Sequence, residues 1–167
     1  MKGVYCIRTI VEGVPDMADD FSTDNMLDMY LYENGQLLEQ LEEIVLENKD
    51  EDSFDENNIN EIFRIMHTIK GSSGVMKYDD IMKTSHKLED IFYFLRENRN
   101  VEEHHMELTE IIFRVLDFIN GEMDKIKDGN DPDGDSSELI ADMEEFLAGL
   151  KDNKQAPQED KQQEKEE

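Results

Sequence analysis

From Asp16 to Asp131 the chain runs without a proline, the three in the sequence being Pro15, Pro132 and Pro157. Proline is the strongest helix breaker, because it lacks the backbone donor and its ring clashes with the preceding turn. A stretch this long without one favours long helices, and no segment shows the period-two alternation of a strand. The expected fold class is all-α, an up-and-down helical bundle of about five helices with a four-helix core and an added C-terminal helix.

Apolar spacing places the helices. After Ser22, Thr23 and Asp24, any of which can cap, apolar residues recur at Met26, Leu27, Tyr30, Leu31, Leu37, Leu38, Leu41, Ile44 and Val45, giving a first helix that ends near Asn48. An acidic loop over 49–56 leads to a second helix that starts near Asn57 or Asn58, buries Ile59, Ile62, Phe63, Met66 and Ile69, and ends around Lys77. Asp79 or Asp80 can cap a third, with Ile81, Leu88, Ile91, Phe92 and Leu95 inward. A fourth runs over about 103–127, and a turn rich in Asp and Gly leads through Ser136 or Ser137 into a fifth. The chain divides into a mobile leader over 1–21, in which Met17 is an alternative start, a domain over 22–151, and a disordered acidic tail or linker over 152–167.

Charge and composition narrow the function. A net charge of −26 repels nucleic acid and anionic membrane surfaces alike, so neither is an expected partner. No apolar run approaches the ~20 residues of a membrane span, and Arg8 and Glu12 interrupt what would be a signal-peptide core. The chain reads as cytoplasmic, with no membrane insertion. Its single cysteine, Cys6, permits no internal disulfide and reads as inert.

The chemistry is concentrated around His67, in the run Met66-His67-Thr68-Ile69-Lys70-Gly71-Ser72-Ser73-Gly74. A glycine inside a helix costs roughly 1 kcal/mol against alanine, so Gly71 and Gly74 require a reason. Four and seven positions after His67, they share its side of the helix and leave bare backbone beside the imidazole, a surface on which another protein can dock. The alternative is an ordinary surface histidine with Gly71 as a C-cap. On the third helix His86 and Glu89 lie three apart on a polar flank with Met82 and Tyr93. A short turn makes helices two and three antiparallel, so Glu89 can reach His67, or else His86 and Glu89 are a solvated pair. A carboxylate accepting from one imidazole nitrogen fixes the tautomer and leaves the other as a nucleophile. Lys70, one turn beyond His67, can neutralise part of an incoming phosphoryl group.

These residues carry a resemblance. The string His67-Thr68-Ile69-Lys70-Gly71-Ser72-Ser73, with His86-Lys87-Leu88-Glu89-Asp90 after it, resembles histidine phosphotransfer domains, and the paired His-x-x-Glu resembles the one at the amino end of the chemotaxis kinase CheA. The resemblance covers about residues 22 to 150. It implies that His67 is phosphorylated, that Glu89 orients it, and that Lys70 and His86 complete its hydrogen-bonding network. It further implies a kinase ATP-binding domain as phosphoryl source, in cis or in trans, and response regulator receiver domains as acceptors. The sequence holds no glycine-rich G-x-x-x-x-G-K phosphate cradle, so no cofactor is expected in this chain, and ATP and Mg2+ belong to partner domains.

Other readings make sharper demands. A di-iron bundle needs two Glu-x-x-His motifs, and only Glu102 with His105 has that spacing. An EF-hand with Gly134 at its sixth position puts Gly129 first and Ile140 twelfth, so the register fails, and no metal site is expected. In a plain acidic helical adaptor His67 would do nothing chemical.

Overall fold

The computed structural model describes residues 17–99 and 104–155. Five helices follow one another: α1 (Met17–Asn48), α2 (Glu56–Met76), α3 (Asp79–Glu97), α4 (His105–Lys127) and α5 (Ser137–Gln155), with no strand among the described residues. Helices α1 and α3 each touch both α2 and α4, so four helices close a ring around one core, and α5 leans on α3 and α4 from outside. Leu38, Leu41, Ile62, Met66, Ile69, Leu88, Phe92, Ile112, Val115 and Met143 fill the interior. Burying each such side chain stabilises the bundle by about 1.5–3 kcal/mol before the entropy of ordering is counted.

The ends of the elements differ from the sequence expectation in instructive ways. Helix α1 begins at Met17, so 17–21 belong to it and the expected capping trio Ser22, Thr23 and Asp24 lies inside a helix. Met and Ala propagate a helix well and Asp favours its positive end, so nothing in this stretch stops it earlier. The rest of the expected leader, 1–16, lies outside the described residues. Helix α5 runs on to Gln155, four residues into the expected tail, and Asn153 reaches His104 Nε2 at 3.0 Å, tying the end of α5 to the start of α4. Residues 156–167 of that tail lie outside the described residues.

Helix α2 is capped by Asp55, whose carboxylate accepts from the Asn58 amide at 2.7 Å, so the helix starts at Glu56 rather than at an asparagine. At its other end Lys77 takes a left-handed conformation (φ 61°), with its amide donating to Gly74 O and the Tyr78 amide to Ser73 O. This paired closure satisfies two orphan carbonyls and turns the chain within two residues into α3. Asp79 and Asp80 then sit in the first turn of α3 instead of capping it. The fold's tightest reversal is thus placed at the foot of the two helices that carry His67 and Glu89.

Candidate functional site

Because α2 and α3 are antiparallel across so short a turn, their registers run in step. Gly74 lies against Met82, His67 against Glu89 seven residues further along each helix, and Phe63 against Tyr93 a further four along each. The sequence spacing alone therefore delivers Glu89 to the imidazole.

The pairing is direct: His67 Nδ1 lies 2.6 Å from Glu89 Oε1. Lys70 Nζ lies 2.6 Å from the other carboxylate oxygen and 3.5 Å from Nδ1. Glu89 is 7% exposed, whereas the His67 side chain is 62% exposed. Burial pushes the Glu89 carboxyl up, but hydrogen bonds and charge from Lys70 and His67 outweigh it and hold the group below the ordinary glutamate value. An ionised carboxylate can only accept, so Nδ1 donates to it, and in the neutral ring Nε2 is then the nitrogen that holds the lone pair. No described residue bonds Nε2, and the ring that carries it is exposed.

The four residues expected to act together divide into three that meet and one that does not. His67, Glu89 and Lys70 form one cluster. His86 instead faces Asp90, one turn along α3, with Nε2 3.6 Å from Oδ1, and is not in the network expected for it. It lies on the exposed side of α3 while Glu89 lies inward, so the two point apart despite their spacing. Lys70 lies in the hydrogen-bonding network of His67, as expected, with its ammonium on the Nδ1 side and paired with Glu89.

The glycines separate as well. Neither is a C-cap. A Cβ at Gly71 would meet nothing within 4 Å, and one at Gly74 would just touch Met82 Sδ at 3.4 Å. The two serines between them are small for another reason: α1 packs there. Tyr30 and Ser73 share a hydroxyl–hydroxyl bond of 2.9 Å, Ser72 donates to Asn34 Oδ1 at 2.9 Å, and burial lifts the Tyr30 phenol to about 12.

Phe63 corrects the expected core arc. It is half-buried rather than inward, and its ring lies nearly parallel to His67 (19°, centroids 6.1 Å apart) and tilted against Tyr93. Over Phe63 sits the Arg96 guanidinium, its carbon 4.3 Å from the ring centre and 5.1 Å from that of Tyr93. Tyr93 and Arg96 were not among the residues expected to form the site. Their signal was the spacing: four and seven residues after Glu89, both fall on its side of α3.

His105 is buried, with its Nε2 2.8 Å from the Asn48 carbonyl and its ring against Phe54, which pins the loop after α1. Its expected partner in the metal reading, Glu102, lies outside the described residues. No three His, Cys, Asp or Glu side chains gather to hold a metal among the described residues. No helix among them is long and apolar enough to cross a membrane.

An antiparallel helix pair inside a four-helix bundle, presenting a half-exposed histidine braced by a buried glutamate, defines a class. Residues 25–129 match the Hpt domain family, and the chain belongs to that family. Among its relatives is the chemotaxis protein CheA of Listeria monocytogenes, 30% identical over 125 residues that make up 75% of this chain and 20% of that protein. The CheA of Bacillus subtilis is 31% identical over 122 residues, 71% of this chain and 17% of that protein. The chain thus spans about a fifth of the length of these curated relatives. The crystal structure of the phosphorylated P1 domain of CheA3 in complex with CheY6 from R. sphaeroides matches with a TM-score of 0.67 over 76% of this chain and 98% of that one; at 22% identity the likeness is one of fold.

Proposed function

We propose that this chain is the phosphotransfer unit of a chemotaxis-type histidine kinase system, with His67 as the residue that carries the phosphoryl group. The observation that supports this most strongly is the exposed imidazole whose Nδ1 is held at 2.6 Å by the buried Glu89, leaving Nε2 free to attack. The donor is a nucleotide bound to a kinase catalytic domain, in cis or in trans, and the acceptor is an aspartate on a response regulator receiver, all acting in the cytoplasm. ATP and its Mg2+ are held by the partner domains.

In this proposal the bond changes are as follows. The Nε2 lone pair forms a bond to the γ-phosphorus as the bond to the bridging oxygen breaks and ADP leaves. The ring becomes cationic with its proton still on Nδ1, and the Glu89 carboxylate faces that new charge directly. Transfer onward breaks the N–P bond, forms a P–O bond to the receiver carboxylate and returns the ring to neutrality. Glu89 thus stabilises charge that appears only as the bond forms, which is where an interaction raises rate. Lys70 in turn keeps Glu89 ionised.

The test is the intact mass of the chain after exposure to a kinase catalytic domain with ATP, beside a His67→Gln variant. One acid-labile phosphoryl group confined to wild type is the expected result. Unchanged labelling of the variant moves the phosphoryl group to another residue and overturns the assignment to His67, and no labelling of wild type favours the adaptor.

A further inference from the structure

A phosphoryl group on Nε2 brings two negative charges to a chain already at −26. Lys70, three residues after His67, sits on the Nδ1 side and is neutralised by Glu89 at 2.6 Å. The new charge therefore needs another partner. Lys87 is engaged with Asp90 and Glu144. Two arginines remain within reach of this face, Arg64 on α2 and Arg96 on α3.

They are not equivalent. The Arg64 side chain is 75% exposed and only loosely paired, 3.8 Å from Glu61. Arg96 is 29% exposed and packed against both Phe63 and Tyr93, with Nε donating to Glu97 at 3.2 Å. Its two terminal nitrogens make no bond among the described residues. Since Phe63 lies 6.1 Å from the imidazole centre and Arg96 4.3 Å from Phe63, the guanidinium carbon is at most about 10 Å from that centre. An aromatic-held guanidinium has already lost much of its rotamer freedom, and its planar fork matches phosphoryl oxygens two at a time.

We propose that Arg96 is a positioning residue for the phosphorylated state: stored on Phe63 and Tyr93 in the free protein, its guanidinium turns to pair with the phosphoryl group on His67 and stabilises its dianion. This rests on the phosphotransfer reading of His67. Phe63 is then a cradle, placed one turn from His67, that holds the cation on a ring stacked against the imidazole without occupying Nε2.

The experiment uses the full chain, 15N-labelled and treated with phosphoramidate, followed by NMR. In wild type the Arg96 Nε–H signal shifts on phosphorylation, while that of Arg64 does not. A 31P titration of the phosphohistidine then reports the second ionisation of the phosphoryl group. Arg96→Gln should raise its midpoint by about half a unit or more, because a nearby cation favours the dianion. Arg96→Lys should restore part of the shift, and Arg64→Gln should leave it unchanged. An adduct on His67 with the Arg96 signal unmoved, and with the same titration in Arg96→Gln, overturns the role of Arg96 and leaves the phosphotransfer reading intact. No adduct on wild type overturns both.

Discussion

Two glutamates are buried in this bundle, each against a lysine, and they have opposite outcomes. Glu122, on α4, is 4% exposed, meets Lys125 at 2.7 Å and accepts the Gly134 amide at 2.9 Å. Lys125 goes on to Asp133, so the group clasps the α4–α5 loop to α4 and every partner is internal. Glu89 meets Lys70 at the same range, yet its second partner is a ring with one nitrogen inside the network and one outside it. The histidines repeat the contrast: His105 spends Nε2 on a carbonyl, and His67 keeps Nε2 free. What separates a clasp from a site is an atom of a satisfied network left facing solvent, since burial and charge pairing are common to both.

Exchanging the two carboxylates for amides breaks this comparison most sharply. Glu89→Gln removes the charge that faces the cationic ring and should slow phosphorylation of His67 about 10–100-fold, the range typical of lost orienting partners. Glu122→Gln should leave that rate unchanged while lowering stability by about 1–3 kcal/mol. Rates of label uptake and urea midpoints, taken on both variants, decide it. Loss of rate in Glu122→Gln with none in Glu89→Gln would invert the account.

The glycines give the next largest separation. A Cβ at Gly134 would come within 2.6 Å of Glu122 Cδ and 3.0 Å of Phe118, so Gly134→Ala should cost about 1–3 kcal/mol. Gly71→Ala meets open space and should stabilise α2 by up to about 1 kcal/mol, visible as a higher urea midpoint. If Gly71 belongs to a docking surface, as proposed, Gly71→Ala should slow transfer to a receiver while it stabilises the free protein. By the same argument Gly74→Leu should slow transfer to a receiver about tenfold while leaving the fold and the labelling of His67 intact, since each tenfold requires only about 1.4 kcal/mol. Normal transfer by that variant contradicts a docking role for the bare backbone.

A smaller effect distinguishes the carboxylates by pH. Because the Glu89 pKa is lowered on folding, its contribution to stability is fully present above the unfolded value of about 4.3 and is lost as pH falls through the folded one. Wild type should therefore lose part of its advantage over Glu89→Gln as pH drops from 5 to 3, measured by urea unfolding at each pH. A constant difference would mean that the carboxylate does not hold its charge in the fold.

The helices and the pair His67–Glu89 were legible because a 3.6-residue period and a two-residue turn fix both face and register. Asp55 was missed as a cap because it stands in an acidic run where several residues qualify. His86 was placed in the network by the resemblance, while its three-residue spacing from Glu89 left a solvated face open, and about 60° of helix rotation is enough to put one group inside and the other in solvent. Phe63 was assigned to the core because an aromatic at the edge of an apolar arc has the same spacing as one in it. The seam of Tyr30 and Asn34 with Ser72 and Ser73 was not legible, since no period within one helix tells which polar residues a neighbouring helix will meet.

The most direct test of the account is the protonation of the His67 ring itself, read from long-range 1H–15N couplings in the full chain at neutral pH. The account predicts the Nδ1–H tautomer, with an unprotonated Nε2 that becomes the site of the phosphoryl group on labelling. A ring protonated at Nε2, or a phosphoryl group found on Nδ1, would contradict it.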